Sequence, residues 1–331
     1  MTGLMAELDG RTVFVAGASG LAGSSVVRTL LAANPTVRIR AGRRGDGGCI
    51  VDDRRIEHVR GDLRDAGDCR RLVKGCDWAV LAAANTGGAA QAISEPWQQV
   101  TDNMVMDAQL LQALHAEGVQ RAVYVSSATV YPDGEAAIAE DDLDWNRDPA
   151  PAQFGIGWVK RAAEKLCRFW HDATGIDIVI ARAANIYGPF AKFDPQRANF
   201  IPALIRKATV GLDPFEVWGA PEVTRDVIYA DDFAAGVVAL LGATGIAFDV
   251  FNLGSGRGVT VADVVETVLR HAGHTPSAIT WRAGAPTTAR CKVLDCARIE
   301  KATGWRAAVD LDEGIRRTVA WWQEQGNRWI R

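Results

Sequence analysis

VFVAGASGLAGSSVVRTLL, residues 13–31, decides the fold. It opens as an apolar run of strand length, passes through Gly17, Gly20 and Gly23, and continues into a stretch of helical period. Glycines at a strand-to-helix turn allow a tight bend and the close approach of a bulky anion. The helix that follows offers unpartnered N–H groups and the positive end of its dipole. Such a turn makes a cradle for a pyrophosphate. The bland alternative is a glycine-rich turn that binds nothing, and the strand before it and the helix after it argue against that.

Working outward, further apolar runs of strand length lie at about 37–41, 56–60, 77–82, 121–126 and 176–181, with helical stretches at about 21–33, 66–74, 97–117 and 157–174 between them. Alternation of this kind predicts an α/β fold, a doubly wound parallel sheet of Rossmann type. Past Arg182 the pattern loosens, and NIYGPFAKFDPQRANF reads as a long loop. Helices at about 199–209, 231–242, 260–272 and 311–325 and short strands near 215–218, 225–229 and 249–252 complete the chain. The expected division is a cofactor-binding domain over 1–182, with returning segments at about 225–252, and a smaller C-terminal α/β substrate lobe over about 183–224 and 253–331.

The composition narrows the function. The chain has 331 residues, is 48% hydrophobic and carries a net charge of -3, enough apolar residue for a full core and no basic field to attract nucleic acid. Cysteines at 49, 69, 76, 167, 291 and 296 form no C-x-x-C pair, so a zinc site is not expected. No secretory leader and no run of about 18 apolar residues is legible, so neither a membrane nor a compartment beyond the cytoplasm is called for. After the second strand comes IRAGRRG. Arg43 and Arg44 stand where an NAD enzyme usually carries an acid for the ribose diol, and a guanidinium there suits a 2′-phosphate. NADP is therefore expected over NAD, with NAD possible if both arginines are merely solvated.

VYVSSATVYP, the helix ending in Lys160, and NIYGPF together resemble the extended short-chain dehydrogenase/reductases that act on nucleotide sugars, as does the G-x-x-G-x-x-G spacing of the cradle. The likeness is greatest to the GDP-fucose synthase and GDP-mannose 3,5-epimerase families, through AANTGG at 83–88, DNM at 102–104, SSATVYP at 126–132, NIYGPF at 185–190, FIPALIRKA at 200–208 and WG at 218–219. The resemblance implies that Asp62, with Leu63 in the G-D-L-x-D segment, meets the adenine amino group; capping of the next helix by an Asp is the alternative. It further implies that Ser127 holds the reacting sugar oxygen and that Lys160 holds the nicotinamide ribose. On the substrate side it implies Arg225 on the diphosphate, with Asn185, Asn199 and Arg290 around the sugar nucleotide and Trp218 stacked on the base, unless that tryptophan is plain core.

One departure dominates. The family's catalytic tyrosine, four residues before the lysine, is Ile156 here, and an isoleucine cannot exchange a proton. Ala128 and Asn199 also stand where GDP-fucose synthases carry an epimerising cysteine and histidine, and Ala128-Thr129 where 4,6-dehydratases carry Asp-Glu. Double epimerisation and dehydration by those routes are disfavoured. What remains is a nucleotide-sugar oxidoreductase, as a 4-keto-sugar reductase or single-centre epimerase, on a GDP-sugar by resemblance; the alternative is a catalytically silent NAD(P)-binding sensor or partner-binding protein. The resemblance also implies a homodimer paired through the helices at 97–117 and 157–174.

Overall fold

Strand β1 (Thr12–Ala16) turns at Gly17 into α1 (Leu21–Ala33), and two faces of apolar side chains leave that strand in alternation. Val13 and Val15 enter one core; Phe14 and Ala16 enter another. The same alternation continues through β4 (Trp78–Leu81), β5 (Arg121–Ser127) and β7 (Asp177–Ala183), the mark of a sheet buried on both sides, whereas β2 (Arg38–Arg43) gives Ile39 and Ala41 to the first core and alternates them with Arg38 and Arg40. The structure, a computed structural model, describes residues 6–45, 47–49, 51–87, 95, 97–132, 134, 137–282 and 291–325.

With β3 (Ile56–Arg60) and β11 (Phe248–Leu253), these strands form one seven-stranded sheet in the order β11-β7-β5-β4-β1-β2-β3, every neighbouring pair parallel. Helices α1 and α6 (Ala230–Gly242) cover one face through Val26, Val27, Leu30, Val237 and Leu241. Helices α2 (Ala66–Val73), α3 (Gln98–Ala116) and α4 (Phe154–Thr174) cover the other through Leu72, Leu110, Leu114, Ala163 and Cys167. The chain leaves β1 toward β2 on one side and later returns to β4 on the other, so the strand order reverses beside β1. The crevice beyond the carboxyl ends of β1 and β4 is where such sheets bind ligands.

A third core lies in the second half. A smaller sheet runs β12 (Gly258–Thr260), β10 (Thr224–Tyr229), β14 (Cys291–Leu294) and β6 (Ala137–Ile138), with β8 (Asn185–Tyr187) beside β10. Strands β9 (Phe215–Trp218) and β13 (Ile279–Arg282) form a separate pair. Helices α5 (Phe200–Thr209), α7 (Val261–Ala272) and α9 (Leu311–Gln325) bury Ile205, Val265, Val268 and Val319 against Phe215 and Val217. A short helix α8 (Ala297–Thr303) lies against β11.

Three boundaries differ from expectation. Residues 224–229 belong to the smaller sheet, so the segment returning to the large one starts at Ala230. Strand β6, within the first 182 residues, also pairs in the smaller sheet. The stretch read as a loop after Arg182 contains β8, held by backbone pairing to β10.

Candidate active site

The turn after β1 is shaped by contacts that only glycine permits. A Cβ on Gly23 would lie 2.2 Å from the Gly17 carbonyl oxygen, and one on Gly17 (φ +72°) would lie 2.8 Å from Ala83 Cα, on the segment following β4. Gly20 is the N-cap of α1; it offers no side-chain cap, and the first turn carries no acid. The first N–H groups of the helix therefore meet the crevice with no carboxylate of their own turn competing for them. Ala18 N donates to Gly42 O at 3.0 Å, tying the cradle to the end of β2.

Arg43 ends β2, where its Nη1 donates to Gly45 O at 3.1 Å, and Arg44 follows it, exposed. Arg44 is also close enough to Asp62 to help hold that carboxyl low. The larger cause is Arg64, which bonds both Asp62 oxygens and also meets Asp102 at 3.2 Å; the Asp62 carboxyl falls to about 2. An Asp of the G-D-L-x-D segment does cap α2: it is Asp65, whose side chain accepts from Asp68 N at 2.8 Å, and not Asp62. Leu63 packs on the core beneath.

Across the crevice, β5 ends at Ser127, whose hydroxyl accepts from Thr129 N at 3.2 Å and so caps the tight 128–130 turn. Helix α4 is pressed onto that turn. A Cβ on Gly157 would lie 2.6 Å from Thr129 O, and one on Gly155 would lie 2.8 Å from Val100 of α3. Ile156 thus sits between two glycines that let the helix start close to Ser127. One turn on, Lys160 is 5% exposed; its Nζ donates to the Tyr124 hydroxyl at 2.8 Å and to Val125 O at 3.2 Å. The Tyr124 hydroxyl in turn donates to Asp107 Oδ2 at 2.6 Å. One more turn along α4, Glu164 accepts from Ser126 Oγ at 2.6 Å and from Arg182 through both its oxygens, a buried ion pair that fixes the helix to β5 and β7.

On the smaller sheet, Asn185 is exposed on β8, its Nδ2 donating to Asp226 O at 3.1 Å; Arg225 lies on the adjoining β10 with Nη1 on Thr224 O. Two of the three acids of TRDVIYADD have structural work. Asp226 accepts from Ser255 N and Oγ, Gly256 N and Leu294 N, and Asp232 accepts from Ala308 N and Val309 N. Asn199 is the exposed N-cap residue of α5, without a side-chain cap bond. Trp218 is 40% exposed at the end of β9, which removes the plain-core alternative; its indole N–H donates to Glu216. Arg290 lies outside the described residues.

Asp107 and Tyr124 escaped the expected set. The signal was present: positions 107, 110, 111 and 114 make one helical face, with leucines at the last three, so Asp107 sits where α3 turns inward.

A doubly wound sheet with a glycine cradle at its switch point, a guanidinium pair at the end of β2 and a Ser–Lys pair at the end of β5 defines a nicotinamide-dinucleotide enzyme of Rossmann type. The profile of the NAD dependent epimerase/dehydratase family matches residues 13–254, and the chain belongs to that family. It is 27% identical to GDP-L-fucose synthase of Sinorhizobium fredii over 93% of this chain and 94% of that one. Against GDP-mannose 3,5-epimerase of Arabidopsis thaliana the identity is 30% over 80% of this chain and 70% of that one. The solved dTDP-glucose 4,6-dehydratase DesIV from Streptomyces venezuelae, with NAD and TYD bound, superposes with a TM-score of 0.84 at 27% identity over 96% of this chain and 98% of that one.

The residues present fit the cofactor: a cradle closed to a Cβ at Gly17 and Gly23, an uncapped helix N-terminus and cations at the end of β2. When bound, an NAD(P) supplies the hydride chemistry; the chain supplies binding, orientation and protons.

Proposed function

We propose that this protein modifies a nucleotide sugar as a 4-keto-sugar-nucleotide reductase or single-centre epimerase, with NADP preferred to NAD and a GDP-sugar as substrate. The observation that supports the reading is the glycine-dependent packing of α4, which carries Lys160, on the 128–130 turn that Ser127 caps. In this reading Ser127 hydrogen-bonds the reacting sugar oxygen, Lys160 holds the nicotinamide ribose, and a water or a substrate hydroxyl carries the proton that Ile156 cannot. Reduction adds a hydride to the carbonyl carbon and a proton to its oxygen. Epimerisation at one centre returns both to the same molecule.

The large sheet takes the cofactor and the smaller lobe the sugar nucleotide, with Arg225 on the diphosphate, Asn185 and Asn199 on the sugar nucleotide, and Trp218 on the base. Curated relatives named for GDP-sugars support the nucleotide, whereas Ala128 and Asn199, which carry no acid or base for proton exchange at carbon, support a single centre. Ile156 favours a second reading, a catalytically silent NAD(P)-binding protein. The test is NADPH oxidation, alongside sugar-product analysis, over a panel of 4-keto sugar nucleotides and their 4-hydroxy counterparts. Reductase or epimerase turnover is expected with a GDP-sugar, and cofactor binding with no turnover on any member would install the silent reading.

The proposed dimer pairs α3 with α4. Leu110, Leu111 and Leu114 are committed to the protomer's own core and Leu166 packs against it, whereas Phe169, 57% exposed, and the partly buried Val105 remain for a partner. Sedimentation at micromolar concentration should give a dimer that Phe169→Glu weakens; a wild-type monomer would remove the idea.

A further inference from the structure

Asp107 occupies a position on α3 where the helical period calls for an apolar residue. It is 4% exposed, among Leu110, Leu111 and Leu114. Burying a carboxylate costs free energy unless it is paired and hydrogen-bonded. Here the pairing is with Tyr124, fully buried, and with Lys160, whose Nζ lies 3.8 Å from Oδ2. Burial raises the Asp107 carboxyl above its ordinary value, and Lys160 and the Tyr124 hydroxyl offset part of that rise. The other titratable groups near the ammonium, both on α4, are engaged or neutral. Glu164 is bound to Arg182 and Ser126, and burial pushes the Cys167 thiol well up.

An ammonium has three protons to donate. Tyr124 and Val125 take two, at 2.8 and 3.2 Å, and the third remains for the crevice or for the longer contact to Asp107. We propose that Asp107, acting through Tyr124, is the positioning residue that pairs with the Lys160 ammonium and aims it. The benefit to cofactor binding rests on reading Lys160 as the ribose ligand. The hold on Lys160 itself does not.

Two readouts separate those layers. In nitrogen-15-labelled protein without cofactor, the Lys160 ammonium signal, assigned by its loss in Lys160→Met, should disappear at a pH lower by about one to three in Asp107→Asn, the range that an adjacent opposite charge commands. Tyr124→Phe should move it in the same direction by less, and serves alone if Asp107→Asn fails to fold. In calorimetry, Asp107→Asn should weaken NADPH binding little at pH 7 and progressively more as pH rises through the range in which the variant's ammonium signal is lost. In a Lys160→Met background Asp107→Asn should change nothing further, because it acts only through the lysine. An ammonium signal unmoved by either substitution overturns the proposal. A signal that moves while Lys160→Met binds NADPH normally leaves the positioning intact and refutes the site reading instead.

Discussion

The two ends of the crevice are built from different material. At the cradle the shape is made by backbone: Gly17, Gly20 and Gly23 contribute no side chains, and at Gly17 and Gly23 there is no room for a Cβ. The site proposed at the end of β5 is made instead of side chains, Ser127, Ile156 and Lys160, on a turn and a helix whose packing depends on Gly155 and Gly157. A backbone site admits almost no substitution without losing its shape. A side-chain site can exchange its proton carrier and keep its frame, as Ile156 does between Gly155 and Gly157 at the start of α4.

The largest effect should therefore come at the cradle. Gly23→Ala forces a carbon against the Gly17 carbonyl, both parts of backbone. Overpacking of this kind costs about 1–3 kcal/mol of stability, and about 3 kcal/mol of distortion passed to the ligand would cost about a hundredfold in affinity. Calorimetry with NADPH together with a thermal melt checks it; wild-type affinity would show that the turn does not carry the pyrophosphate.

Next in size is the joint change Arg43→Ala with Arg44→Ala. Charge-assisted hydrogen bonds are worth about 1.5–3 kcal/mol, so NADPH affinity should fall about tenfold to a hundredfold while NADH affinity stays level. Equal losses for both cofactors would mean that the arginines serve the fold and not the 2′-phosphate.

The smallest effect belongs to Asp62. Its folded carboxyl is depressed to about 2, so its ion pair with Arg64 adds stability above the unfolded carboxyl's usual value and loses it as pH falls through the folded one. Asp62→Asn should lower the melting temperature slightly and equally at pH 7 and 5, and the gap should close between about pH 4 and 2. The pair is substantially exposed, so the gap is small. A gap that persists undiminished at the acid end would assign the loss to something other than this pair.

What was legible in the sequence follows the same division. The cradle and the strand alternation could be read because local sterics and two-sided burial leave marks within a dozen residues. β6 and β14 could not, since each is a few residues long and is specified by pairing across more than 150 positions. The expected start of the returning segment near 225 failed for the same reason, because β10 is drawn to β8 and β14. Lys160 was legible, but its partners were not. Asp107 and Tyr124 come from α3 and β5, and only the packing of α3 and α4 over the sheet brings them to the lysine.

The independence of the two ends is tested most directly by Ile156→Tyr, with NADPH affinity and turnover of an identified sugar nucleotide measured on the same preparation. Restoring a phenol four residues before Lys160 should leave the dissociation constant within about twofold and raise turnover, up to the 10²–10⁴-fold that general acid–base catalysis typically contributes. In both backgrounds Ser127→Ala should abolish turnover. A change in affinity as large as the change in turnover, or a rate indifferent to both Ile156→Tyr and Ser127→Ala, would contradict the account.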